Sequence, residues 1–151
     1  MRKLNNTNGG FLISKIKQIQ GRVFEKILQK HGISEFNGAQ GRILFVLWEC
    51  DDIPIKELSE KTGLAKTTLT GMLDRLESSG NIKREYNSND RRTVRIKLTP
   101  SAKALKESYE EVSAEMNEIF YKGFSNEEIF AFEESARKIL ENLIKKENEN
   151  G

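Results

Sequence analysis

The residues best placed for specific chemistry in this chain are hydroxyls and cations. Lys66, Thr67, Thr68, Thr70 and Arg75 fall within Ala65–Ser79, AKTTLTGMLDRLESS, and the run Asp90-Arg91-Arg92 follows further on. Threonine hydroxyls can meet phosphates or base edges, and a threonine methyl can sit against a thymine methyl. In the second group, a carboxylate two residues before an arginine can hold the guanidinium extended. An arginine so held can enter a narrow minor groove, where negative potential is concentrated. Each group also has an ordinary reading, as an exposed threonine-rich helix and a solvated basic turn.

The elements that must position these groups are legible around them. Leu69, Met72, Leu73 and Leu76 fall three and four apart, the spacing of one buried helical face. Lys66, Thr67, Thr70, Gly71 and Asp74 are left on the other side. Gly71 costs about 1 kcal/mol of helix propensity relative to alanine, and close approach of a base pair would account for it. Lys56 to Lys61 is a short helix with Leu58 inward, and Thr62-Gly63-Leu64 turns directly into the next helix, as in a helix-turn-helix. After Gly80 the period changes to two. Ile82, Arg84 and Tyr86 alternate with Lys83 and Glu85, and Val94, Ile96 and Leu98 alternate with Arg95 and Lys97, predicting two strands joined by the basic turn Asn87–Thr93. The expected fold is mainly α with a small β-wing, a winged helix-turn-helix.

Both flanks are helical. Leu12, Ile16, Ile19, Val23 and Ile27 recur along Phe11–Lys30, widened by Phe24 and Leu28, and Gly32 stops the helix. Asn37 and Gln40 form a capping box for a second helix that buries Ile43, Leu44, Leu47 and Trp48 and ends at Asp51–Asp52. Ile53-Pro54-Ile55 is at most a strand stub. Thr99-Pro100 opens a helix carrying Leu105, Tyr109, Val112, Met116 and Ile119. Ser125 and Glu128 form another capping box, ahead of a last helix with Ile129, Phe132, Ala136, Ile139 and Leu143 on one face.

Charge is unevenly divided. Lys/Arg outnumber Asp/Glu eight to four over residues 65–97, whereas over 98–151 Asp/Glu lead twelve to seven. A basic middle within a chain of net charge +2 is the footprint expected of a nucleic-acid surface. No apolar run approaches the roughly 18 residues of a membrane span, and no secretory signal is present, so a cytoplasmic protein is expected. One cysteine, Cys50, and one histidine, His31, exclude a disulfide framework and a multi-cysteine zinc site. Cys50 reads as a small core residue and His31 as a helix C-terminal residue favoured by the macrodipole. No phosphate-binding glycine loop, nucleophile elbow or metal-ligand spacing appears. No enzyme, cofactor or metal is expected.

The first helix and the last two lie at opposite ends of the sequence, and each carries more apolar stripe than the small central module can cover. A homodimer joined through them resolves this; an intramolecular three-helix bundle is the alternative. Two further functions fit the same residues, a protein-interaction adaptor built on the winged-helix surface and a redox switch through Cys50.

Three segments together resemble the multiple-antibiotic-resistance regulator (MarR) family of bacterial transcription factors. They are Leu58-Ser59-Glu60-Lys61-Thr62-Gly63-Leu64, then Leu73-Asp74-Arg75-Leu76-Glu77 ahead of Gly80, then Asn89-Asp90-Arg91-Arg92 followed by Val94, Leu98 and Thr99. The resemblance covers nearly the whole chain; Ala102 departs from it, where the family usually has glycine. It implies one domain over 1–151, with a winged helix-turn-helix at 37–99 and dimerisation helices at 11–31 and 100–146. It implies a dimeric repressor of pseudo-palindromic double-stranded DNA, with recognition helices about 34–36 Å apart or a multiple of that. Carried over by motif, Lys66, Thr67, Thr68 and Thr70 face the major groove. Arg75 contacts the backbone or braces the wing, and Asp90 and Arg92 form the wing pair beside Arg91. Many relatives bind small aromatic or phenolic acids, for which this chain offers Phe24, Phe45, Trp48 and residues of the Leu105 helix. The oxidant-sensing branch uses a cysteine near the start of the first helix, which this chain lacks.

Overall fold

A computed structural model describes residues 6–87, 89 and 93–149. The wing-tip residues Asp90, Arg91 and Arg92 lie outside the described residues. In chain order the elements are α1 (Gly9–Lys30), α2 (Gly38–Glu49), β1 (Ile53–Pro54), α3 (Ile55–Thr62), α4 (Lys66–Ser78), β2 (Ile82–Tyr86), β3 (Val94–Leu98), α5 (Pro100–Ala104), α6 (Lys106–Phe120) and α7 (Asn126–Glu149). The chain divides into two units, residues 1–116 and 117–151, with the boundary inside α6.

The first unit is built as the periodicity predicts. Asn37 accepts from the Gln40 backbone N–H at 2.8 Å and the Gln40 side chain accepts from Asn37 N–H at 3.1 Å, closing the capping box of α2. Ile43, Leu44, Leu47, Leu58, Leu69, Leu73 and Leu76 are fully buried and form the centre of the core. Each such side chain contributes about 1.5–3 kcal/mol by leaving water. The strand stub has a role that its length conceals. β1 pairs antiparallel with β3, Ile53 opposite Ile96, and makes a three-stranded sheet of order β1-β3-β2. The sheet thereby anchors the wing hairpin from the side opposite β2.

Two differences from expectation have local causes. The helix after Thr99 is not continuous: the Thr99 side chain caps α5, the Leu105 N–H bonds the Ala102 carbonyl in a tightened turn, and α6 starts afresh at Lys106. The second helix ends at Glu49, with half-buried Cys50 as its C-terminal cap. His31 caps α1 as expected, and Glu115 of α6 binds it at 2.9 Å and Lys30 at 2.7 Å. Those hydrogen bonds, Lys30 first and His31 second, hold the Glu115 carboxyl below its ordinary pKa.

In the second unit, Ser125 and Glu128 form their capping box at 3.0 and 3.2 Å. Phe120, Tyr121, Phe124 and Phe132 pack ring against ring. The Tyr121 hydroxyl donates to Glu133 at 2.6 Å, and burial, then that carboxylate, push its pKa up to about 12. α7 nevertheless buries none of its residues.

Candidate nucleic-acid interface

The candidate surface starts from the turn between α3 and α4. Gly63 sits at φ +73°, a left-handed conformation that glycine adopts without strain. Around it, Ser59 donates to the Leu64 carbonyl at 2.7 Å and Thr62 to the Leu58 carbonyl at 2.8 Å, while Thr62 accepts from Leu64 N–H at 3.2 Å. Every polar group of the turn that these side chains reach is paired, so the exit angle of α4 is fixed. Leu69, Leu73 and Leu76 then hold the inner face of α4 in the core, with Met72 half-buried beside them.

The outer face is what remains. Lys66, Thr67 and Thr70 are exposed, as the spacing predicts, and so are Thr68 and Arg75. Ala65 gives α4 no side-chain cap and its first turn has no acidic residue, so this positive end of the helix dipole is open to an anion. Thr70 differs from its expected use in one respect. Its hydroxyl donates to the Lys66 carbonyl at 2.8 Å, leaving its methyl and oxygen lone pairs for an incoming surface. A Cβ placed on Gly71 would meet nothing within 4 Å, so internal packing does not require glycine there.

The wing is braced by Arg84 of β2, a residue that the motifs did not single out. Its Nη2 lies 2.7 Å from Asp74 Oδ1 and donates to the Thr70 carbonyl at 3.2 Å; its Nη1 lies 3.1 Å from Glu77 Oε1. Glu77 also accepts from the Arg84 backbone N–H at 3.1 Å. Burial acts to lower the arginine's pKa, but the bonds and charges of Asp74 and Glu77 outweigh it and hold the value above ordinary. Arg75, expected to brace the wing or contact backbone, is exposed and makes no ion pair among the described residues. Among the described residues, the link from β2 to α4 is made by Arg84. The sheet's other side carries Arg95, paired with Asp52 at 2.9 Å, and Lys97, 3.3 Å from Glu85.

Phe24, Phe45 and Trp48 do come together, around a fourth ring. Tyr109 of α6 lies 6.1, 6.0 and 5.0 Å from their ring centroids, and 5.9 Å from that of buried Phe36. Trp48 turns its N–H to the Ala102 carbonyl at 3.0 Å. Tyr109 was legible in the stripe of its helix; Phe36 stands alone in a loop and gave no periodic signal. Among the described residues no group of three or more His, Cys, Asp or Glu is placed to hold a metal, and no helix is long and apolar enough to cross a membrane.

Comparisons with known proteins agree with this layout. The MarR family pattern matches residues 36–94, from the start of α2 to the wing. YfiV of Bacillus subtilis (strain 168), an uncharacterized HTH-type transcriptional regulator, is 35% identical over 98 residues, 57% of this chain and 61% of YfiV. The chain thus spans less than two thirds of that relative's length. YsmB of the same organism, also an uncharacterized HTH-type transcriptional regulator, is 32% identical over 136 residues, 89% of this chain and 88% of YsmB. A mutant of E. coli MarR solved in complex with operator DNA is 28% identical at a TM-score of 0.79, covering 92% of this chain and 99% of that one. With its helix-turn-helix, its wing and a relative matched over nearly its full length, the chain belongs to the MarR family of transcriptional regulators.

Proposed function

We propose that this chain is a homodimeric repressor that binds pseudo-palindromic operator DNA and is released by a small aromatic or phenolic ligand. The observation that carries the reading is the outer face of α4, where Lys66, Thr67, Thr68, Thr70 and Arg75 are exposed and a Cβ on Gly71 would meet nothing within 4 Å. Lys66 and Arg75 supply phosphate contacts, and Thr67, Thr68 and Thr70 meet base edges or thymine methyls. Asp90, Arg91 and Arg92 carry the minor-groove contact. The operator complex of the E. coli MarR mutant supports DNA as the partner.

Residues 37–99 form the DNA-binding part, and 11–31 with 100–146 the dimerisation helices, all serving one functional domain. Support for the dimer comes from apolar side chains left uncovered on α1 (Phe11, Leu12, Ile13, Ile16, Ile19) and on α7 (Ile139, Leu140, Leu143, Ile144). Two-fold pairing covers such faces and matches a palindromic site. Phe24, Phe45 and Trp48 hold the ligand, with Phe45 as the exposed edge of the cluster. A planar aromatic acid would compete with Tyr109 for their ring faces.

The test is binding of the chain to duplexes cut from the DNA upstream of its own coding sequence, with and without phenolic acids, alongside a shuffled duplex. The expected result is preference for one upstream duplex, lost on adding an effective acid. Equal binding to upstream and shuffled DNA would remove the operator reading.

A further inference from the structure

Asp74 and Glu77 pose a problem for DNA binding, and the inference drawn from it rests on the DNA-binding reading above. Both carboxylates lie on α4, the helix proposed to approach the phosphates, and the Asp74 side chain is 63% exposed. An unpaired carboxylate there repels the polyanion, and two repel it more. Yet the structure places a single guanidinium against both, from the facing strand.

We infer that Arg84 is a positioning residue for DNA binding: it cancels charge on the reading helix and fixes the angle between that helix and the wing. The geometry supports both halves. Arg84 lies opposite Ile96 in the β2–β3 register, so its stem runs along the core side of the sheet, and its side chain is only 15% exposed. From there the planar head reaches Asp74, Glu77 and the Thr70 carbonyl at once. Thr70 belongs to the reading face itself, so its backbone is held directly by the wing strand. A lysine, with one compact ammonium, cannot span three such acceptors in fixed geometry. Both terminal nitrogens of the group are engaged by protein acceptors and its side chain is largely buried, which separates it from exposed Arg75 and Lys66 as direct phosphate ligands.

The experiment uses five forms of the full chain: wild type, Arg84→Met, Arg84→Lys, Asp74→Asn/Glu77→Gln, and the last combined with Arg84→Met. Methionine keeps the buried stem while removing the charge, and circular dichroism checks each fold. Affinity is measured by fluorescence anisotropy on an upstream duplex and on a shuffled duplex across a salt series. Arg84→Met is expected to bind both duplexes about tenfold more weakly at low salt. Arg84→Lys is expected to keep shuffled-duplex affinity but lose preference for the upstream duplex. Asp74→Asn/Glu77→Gln frees the arginine's charge, so shuffled-duplex affinity rises while the preference falls. Combining it with Arg84→Met restores shuffled-duplex affinity, a recovery that a purely stabilising arginine would not give. If wild type binds and Arg84→Met is indistinguishable from it, or the combined variant binds no better than Arg84→Met, the role of Arg84 is overturned alone. If wild type itself shows no salt-dependent binding, the DNA-binding reading falls and this role falls with it.

Discussion

α4 and α7 are both amphipathic, but they treat their apolar residues in opposite ways. The 13 residues of α4 bury Leu69, Leu73 and Leu76 completely inside one unit. The 24 residues of α7 bury none, and Leu143 is 63% exposed. Helix amphipathicity therefore has two meanings in this chain. In α4 the stripe is the inner face of a finished core and the polar face is the working surface. In α7 the apolar stripe is left on the surface, and under the proposed function a second copy of the chain covers it. The polar face of α4 is then orientated from both sides, by the α3–α4 turn and by Arg84.

The contrast can be broken most severely at α7. Replacing Leu140 and Leu143 together by glutamate is expected to weaken the dimer by about 3–6 kcal/mol, from the loss of two buried leucines, while leaving the folded first unit intact. Sedimentation across a dilution series, with circular dichroism beside it, reads both outcomes; an unchanged dimer would move the interface elsewhere. At α4 the same chemistry should act on folding instead. Leu73→Ala is expected to cost about 2–5 kcal/mol of unfolding free energy in urea, whereas Leu143→Ala, in the dilute monomer, should leave it nearly unchanged. Comparable losses at the two sites would erase the distinction.

Gly71→Ala sharpens the comparison on the polar side. It should stabilise the fold by up to about 1 kcal/mol, because helix propensity improves and the methyl meets nothing. It should at the same time weaken binding to the upstream duplex, since the added bulk lies on the reading face. A variant both more stable and tighter-binding would contradict that placement. The smallest effect is a pH dependence outside both helices. Glu115 is held below its ordinary pKa by Lys30 and then His31, so its contribution to stability is present above the ordinary carboxylate value of 4.5 and is lost as pH falls through the depressed one. Glu115→Gln should lower the melting temperature slightly near neutrality, where that contribution is complete, and leave it little changed well below the depressed value, so the melting temperature varies less with pH across the acidic range.

Much of this was written in local patterns. Period-3.6 stripes placed the long helices, Asn37–Gln40 and Ser125–Glu128 announced their starts, and a change of period after Gly80 announced the wing. Pairings between distant residues were not legible in the same way. β1 is two residues long, and only its partner β3 makes it a strand. The break at Leu105 follows from a capped short helix whose apolar spacing continues smoothly across it. Arg84 left a partial signal: alternation placed a charged residue on the same strand face as Ile82, where a carboxylate partner is required. Asp74 and Glu77 were in the sequence to supply one, but their distance from Arg84 exists only in the folded chain.

The most direct test of the central claim, that the open face of α4 reads DNA, is the salt dependence of binding for wild type and Lys66→Ala on the upstream and shuffled duplexes. The predicted result is a linear fall of log affinity with log salt for wild type, and a slope smaller by about 1 for Lys66→Ala on both duplexes. Identical slopes and affinities for the two proteins would contradict it.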